Sequence, residues 1–209
     1  MASVPGATRV ARPLERWPQP SAAVTHVHPD HFEEKTAALM DHALPLYAQN
    51  KIDAAAISTW VFRRAHCWDA VLPFGALTLT HVAAQHGLTP ETNSDPASGI
   101  VLMVAREPTP YLAGDTVWYA GMKANLERFR PTVTELNRCE ATLSSRRRIM
   151  DEEDVLAACQ AAPWTRMVTI PMKTVSHGNV LSSYLRRFVD RLGVGKQVLI
   201  SVDGEVLTF

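Results

Sequence analysis

Between Val24 and Phe32 the chain reads VTHVHPDHF, so that His26, His28, Asp30 and His31 fall within six consecutive residues. No other stretch limits the fold so tightly. Neutral imidazole nitrogens and carboxylate oxygens are the donors that zinc and related divalent ions prefer. Crowding them at one point requires open solvent around each, or a cation for them to share. Taken alone, the stretch also reads as a charged helix N-terminus, with Asp30 as the cap and the histidines facing water. Which reading holds depends on whether the remaining chain supplies more ligands and a scaffold to aim them.

Short apolar runs alternating with helical periodicity give that scaffold an α/β character. AAVTH (22–26) and LPLYA (44–48) read as strands, separated by a helical pattern over 30–43 with Glu33 and Glu34 in its first turn. A short helix is expected at 51–60, a strand opening 75–87, and two apolar runs at 98–105 and 109–114 around the turn REP. Three helix–strand units follow: 119–129 into TVTEL, 150–162 into TRMVTI, and 178–192 into QVLISVDGEVLTF (197–209). The last of these reads as a hairpin turning at Asp203-Gly204. Residues 1–21, rich in Pro and Arg, read as a flexible arm before one domain over 22–209.

Composition narrows the partners. Lys+Arg and Asp+Glu number 21 each, so no net field draws the chain to nucleic acid or anionic membrane. A terminal hairpin beside Arg186, Arg187 and Arg191 has the outline of a DNA-binding wing, but no basic surplus supports it. The run Arg146–Arg148 ahead of Asp151–Asp154 reads as a solvated loop entering a helix. Cys67, Cys139 and Cys159 are widely spaced, which suits a reducing compartment, and the first twenty residues have no apolar signal core. A cytoplasmic location and a small-molecule substrate are the expectations, with no membrane association.

Three segments taken in order resemble the metallo-β-lactamase-fold hydrolases: THVHPDH at the end of a strand, AAQHG ending at His86, and YLAGDTVWYAG with Asp115 after an apolar run. The later stretches IMDEEDVLAACQAAPWTRMVTIPMKTVSHGNVLSS and VLISVDGEVL are similar to a branch distantly like the ascorbate-phosphate lactonases. The resemblance spans residues 22–209 and implies an αββα sandwich. It also implies a centre in which His26, His28 and His86 hold one metal ion, while Asp30, His31 and Asp115 hold or bridge to a second. Zinc is the expected metal, as one or two ions, with manganese and iron compatible with the same ligands. The implied chemistry is attack by a metal-bound hydroxide on an ester, lactone, amide or phosphoester, with Asp30 orienting the water and carrying its proton.

Two features depart from the family pattern. Only 25 residues precede His26, so the first sheet is expected to be reduced, and its edge to be covered by the arm or by a second copy in a homodimer. Pro171 stands where the last histidine ligand is usual, and proline cannot bind metal; His177, six residues later, is the remaining candidate. These departures raise an alternative, a member of the fold that has lost turnover and serves a binding or structural role. The other histidines have plainer readings: His42 near a helix end, His66 beside Cys67 in a surface or core role, and His81 packed within a strand. Trp118 is expected to pack beneath the site.

Overall fold

Strands buried on both faces read as nearly unbroken apolar runs, and the run at Ala97–Met103 forms an interior strand of the larger sheet. The computed structural model describes residues 21–29, 31–60, 62–68, 70–88, 96–138, 142–143, 146–147, 149–171, 182–202 and 205–209. In chain order these form β1 (Ala22–Val24), α1 (Glu34–Ala38), β2 (Leu46–Ala48), α2 (Lys51–Thr59), β3 (Ala65–Cys67), β4 (Val71–Phe74), β5 (Leu77–Ala84), β6 (Ala97–Met103) and β7 (Pro110–Leu112). They continue with α3 (Ala120–Phe129), β8 (Val133–Arg138), β9 (Thr142–Leu143), β10 (Arg146–Arg147), α4 (Glu152–Ala161), β11 (Arg166–Pro171), α5 (Ser182–Arg191) and β12 (Val198–Ile200).

The first sheet is small, with three parallel strands in the order β1-β2-β3. The second has seven, in the order β12-β11-β8-β7-β6-β5-β4, antiparallel from β4 to β7 and parallel from β7 to β12. Helices α3, α4 and α5 precede β8, β11 and β12 in sequence, as connections between parallel neighbours require. They cover one face of the large sheet. Val82, Val101, Tyr111, Leu136 and Met167 point into a core shared with Met122, Leu126, Val155, Ala158 and Leu185. The other face meets the first sheet across a crevice of about 180 Å³, lined by Ala22, Tyr47, Leu72, Phe74, Leu77 and Leu79. A separate core beneath the first sheet joins Val24, Leu46 and Ala48 to Ala37 of α1 and Ile57 of α2. This is the αββα sandwich with a reduced first sheet.

Several expectations need correction. The helix read over 30–43 is a single short piece, Glu34–Ala38, with no side-chain cap at Glu33, and Asp30 lies outside the described residues. His42 therefore sits in a turn against Phe62, with ring centroids 5.2 Å apart, and not at a helix end. Between α2 and β5 the chain forms β3 and β4, where the sequence shows no clear pattern. β4 is an edge strand that tolerates Pro73 and turns into β5 through Gly75 at φ 63°. Arg146 and Arg147 pair with Leu143 and Thr142 and are not in a loop. The turn expected at Asp203-Gly204 lies outside the described residues; among those described, β12 pairs in parallel with β11 and 205–209 belong to no strand. Arg186 of the basic helix donates to the carbonyls of Gly195 and Val198, so it braces its own fold.

Candidate metal centre

The site forms where the first sheet's outgoing loop meets the ends of strands from the second. His26 and His28 follow β1 in extended chain. Ser98 Oγ of β6 donates to the Thr25 carbonyl at 2.9 Å and ties that chain to the large sheet. The amides of His31 and Phe32 both donate to the His28 carbonyl, at 3.0 and 2.8 Å, which folds His31 back over its neighbours. Phe32, buried in the smaller core, anchors the far end of this turn. His31 thus stands in a tight turn ahead of α1, not in the helix itself.

The second sheet supplies the other residues. His86 lies two residues beyond β5. Its neighbour Gln85 is locked to the Asp115 loop, its amide donating to Thr116 Oγ1 at 3.1 Å and its carbonyl accepting from the Val117 amide at 2.9 Å. Gly114, at φ 68°, makes the bend that presents Asp115, and a Cβ there would lie 2.5 Å from the Ser98 carbonyl oxygen. Only glycine meets both demands without strain. Beyond it, the Trp118 amide donates to Asp154 Oδ2 at 3.1 Å, which fastens the loop to α4. Trp118 itself packs against the main core.

These loops bring four imidazoles and a carboxylate together. The His26 ring lies 4.4 Å from that of His28, 4.2 Å from His31 and 5.4 Å from His86. In two sets, His26–His28–His86 and His26–His31–Asp115, one donor atom of each side chain lies within 4.8 Å of the others. His26 is common to both. Asp115 Oδ2 accepts from His31 Nε2 at 3.1 Å, and Oδ1 accepts from Asn137 Nδ2 at 2.8 Å.

The electrostatics suit a cation. Burial first, then the neighbouring His31, hold His26 down at about 3 against the pull of Asp115, so its ring is neutral and free to coordinate. Burial alone would raise Asp115. The hydrogen bond and charge of His31, followed by the Asn137 amide, overcome that and hold it at about 2. Glu135 goes the other way, pushed up to about 7 by burial and by the nearby Asp115. Among the described residues His26 Nε2 is enclosed and has no hydrogen-bond partner, with Asp115 Oδ2 3.9 Å away. An imidazole nitrogen left without a partner in the interior costs on the order of 1–3 kcal/mol. A divalent ion among these donors would remove that cost, so the residues present fit a metal.

Of the residues expected from sequence, His26, His28, His31, His86 and Asp115 converge, while Asp30 and His177 lie outside the described residues. Pro171 ends β11 beside Arg138 of β8. His66 is exposed on β3, and His81 packs on Trp68 with ring centroids 5.7 Å apart. The strand read from sequence ends at TVTEL, which contains Glu135 without a role and stops one residue short of Asn137. Continuing the two-residue period to Arg138 puts both polar side chains on one face of β8.

Comparison with known proteins follows the same geometry. The UPF0173 protein YddR of Bacillus subtilis is 26% identical over 189 residues, covering 89% of this chain and 74% of its own. The crystal structure of an isothiocyanate hydrolase from Delia radicum gut bacteria superposes with a TM-score of 0.85 at 29% identity, covering 91% of this chain and 76% of its own. A possible metal-dependent hydrolase from Veillonella parvula gives a TM-score of 0.84 at 28% identity over the same shares. Igni18, a metallo hydrolase of Ignicoccus hospitalis, shares the fold at a TM-score of 0.72 and 19% identity. No family model matches the chain.

Proposed function

From a chain that belongs to the metallo-hydrolases of the metallo-β-lactamase fold, we propose a metal-dependent hydrolase acting on a small molecule with an electrophilic carbon or phosphorus. The observation that carries the reading is the enclosed, unpartnered His26 Nε2 at the junction of two three-residue donor sets. His26, His28 and His86 would hold one ion, and Asp30, His31 and Asp115 would hold or bridge to a second, with zinc the expected metal. When bound, such an ion lowers the pKa of a water to about 7 and polarises the substrate oxygen.

The chain's own residues do the rest. Asn137 and His31 fix the Asp115 carboxylate from two sides, so it meets a cation without reorganising. Thr25 Oγ1 lies 3.3 Å from His26 Nδ1, which leaves the buried Nε2 facing the site. Asp30 is assigned the orientation of the attacking water and the transfer of its proton. Esters, lactones, amides and phosphoesters are the first substrates to try. Isothiocyanates join them, because a relative of the same fold is named for that reaction. Zinc-loaded protein should hydrolyse members of one class, and Asp30→Asn should lower kcat. Zinc-loaded protein inert on every class would contradict the reading.

Pro171 on β11 favours one other reading, a metal-binding protein of this fold without turnover. Pro171→His separates the two. A rise in metal content or rate marks a weakened enzyme, and no change in either marks an abandoned second site.

A further inference from the structure

Two carboxylates in the first turn of α4 grip the two segments that carry Asp115 and Asn137. Asp154 Oδ2 accepts from the Trp118 amide at 3.1 Å, three residues past Asp115. Glu152 Oε2 accepts from Arg138 Nη2 at 3.1 Å, one residue past Asn137. Asp115 and Asn137 meet each other, Asn137 Nδ2 donating to Asp115 Oδ1 at 2.8 Å. These contacts close a ring from α4 through the Asp115 loop, across the Asp115–Asn137 bond, and back along the end of β8. Asp151 Oδ1 accepts from the Asp154 amide at 2.9 Å and caps the turn that holds both ends of the ring.

Stability alone does not account for the Arg138–Glu152 pair. Its side chains are only 2% and 15% exposed, and Arg138 Nε is enclosed without a hydrogen-bond partner among the described residues. Desolvation offsets the attraction of a buried ion pair, so apolar side chains of the same volume are often as stable. A fixed position for the end of β8 is the other thing the pair supplies. That end needs one, because the register partner of Arg138 on β11 is Pro171, which has no amide hydrogen to donate to a ladder.

We propose that Glu152 and Asp154 are positioning residues of the metal centre. Acting through Arg138 and the Trp118 amide, they hold Asn137 and Asp115 in the relation at which the carboxylate meets the cation. This rests on the metal-centre reading above and deepens it, by placing control of the centre in a helix that supplies none of the proposed ligands.

The test is cobalt titration of metal-free, full-length protein, following affinity and the visible absorption of the bound ion. Circular dichroism and urea melts of each metal-free variant run beside it. Arg138→Met/Glu152→Leu replaces the ion pair by apolar side chains. It should melt no earlier than the parent, yet bind cobalt about tenfold more weakly with a shifted spectrum. Asp154→Ala should weaken cobalt by the same order. Asp154→Asn, which keeps an acceptor for the Trp118 amide, should restore the parent's affinity and spectrum. A role confined to stability would move the melts and leave the spectrum as it is. Parent-like cobalt affinity and spectrum in either weakened variant, or an Asp154→Asn variant no better than Asp154→Ala, overturns the proposal and leaves the metal centre standing. A parent that takes up no cobalt overturns the metal-centre reading itself.

Discussion

The two sides of the candidate centre are held by very different amounts of structure. His26, His28 and His31 hang from a three-residue strand and a turn that leads to a five-residue helix, over a core that among the described residues has nine buried members, against sixteen for the larger one. His86 and Asp115 stand at the ends of a seven-stranded sheet that includes the eight-residue β5 and shares that larger core with α3–α5. Local stability follows the apolar contacts an element makes. The second sheet therefore presents a carboxylate that is fixed in advance, whereas the histidine turn depends on what it binds. In this account the metal is the ligand that orders the weaker side against the stronger.

The largest effect should come from His26→Ala, which removes the donor common to both sets. Metal content should fall below detection, and exchange protection should drop in 22–48 while 97–138 keeps its own, as mass spectrometry of deuterium uptake would show. Equal loss across both regions would break the comparison.

Acid should do the same to the metal-free protein. Burial depresses His26 from its ordinary 6.5 to about 3, so its contribution is fully present above pH 6.5 and is lost as pH falls through that window. Asp115, depressed to about 2 from 3.8, adds a loss of the same sign at lower pH. Urea melts between about pH 7.5 and about pH 5 should lose on the order of a few kcal/mol, and His26→Gln should flatten the slope. A pH-independent parent would count against a neutral, buried His26.

On the stronger side, Gly114→Ala forces a Cβ to 2.5 Å from the Ser98 carbonyl at a positive φ. It should cost about 2–3 kcal/mol in denaturant melts, a strand-end lesion that added zinc does not repair. Full rescue by zinc would mean that the Asp115 loop is no more fixed in advance than the histidine turn. Asn137→Ala should be milder, weakening metal affinity about 10- to 100-fold with little change in the stability of the metal-free protein.

Much of this was legible in the sequence where one physical signal dominated. The period of 3.6 marks α2, α3 and α4, alternation marks β5, apolar runs mark β6 and β11, and the resemblance carried by His26, His28, His31, His86 and Asp115 names residues that converge in the fold. The rest was hidden for identifiable reasons. β3 and β4 carry His66, Cys67 and Pro73, which argue against strand until the edge position of β4 explains the proline. The terminal hairpin carried a turn signal at Asp203-Gly204. The Glu205 amide donates to the Val202 carbonyl at 3.0 Å, but Val206 and Phe209 remain exposed, and among the described residues 205–209 have no strand pairing. Asn137 was missed because a polar residue inside a buried strand resembles its end, and Glu135 because nothing local in TVTEL links it to a site. Their meaning depends on Asp115, which is distant in sequence and adjacent only in the fold.

The most direct test is the metal content of full-length protein purified without chelator or added metal, measured beside a His28→Ala/Asp115→Ala variant. The account predicts at least one equivalent in the parent and almost none in the folded variant. A folded parent that holds no metal and takes up no zinc would contradict it.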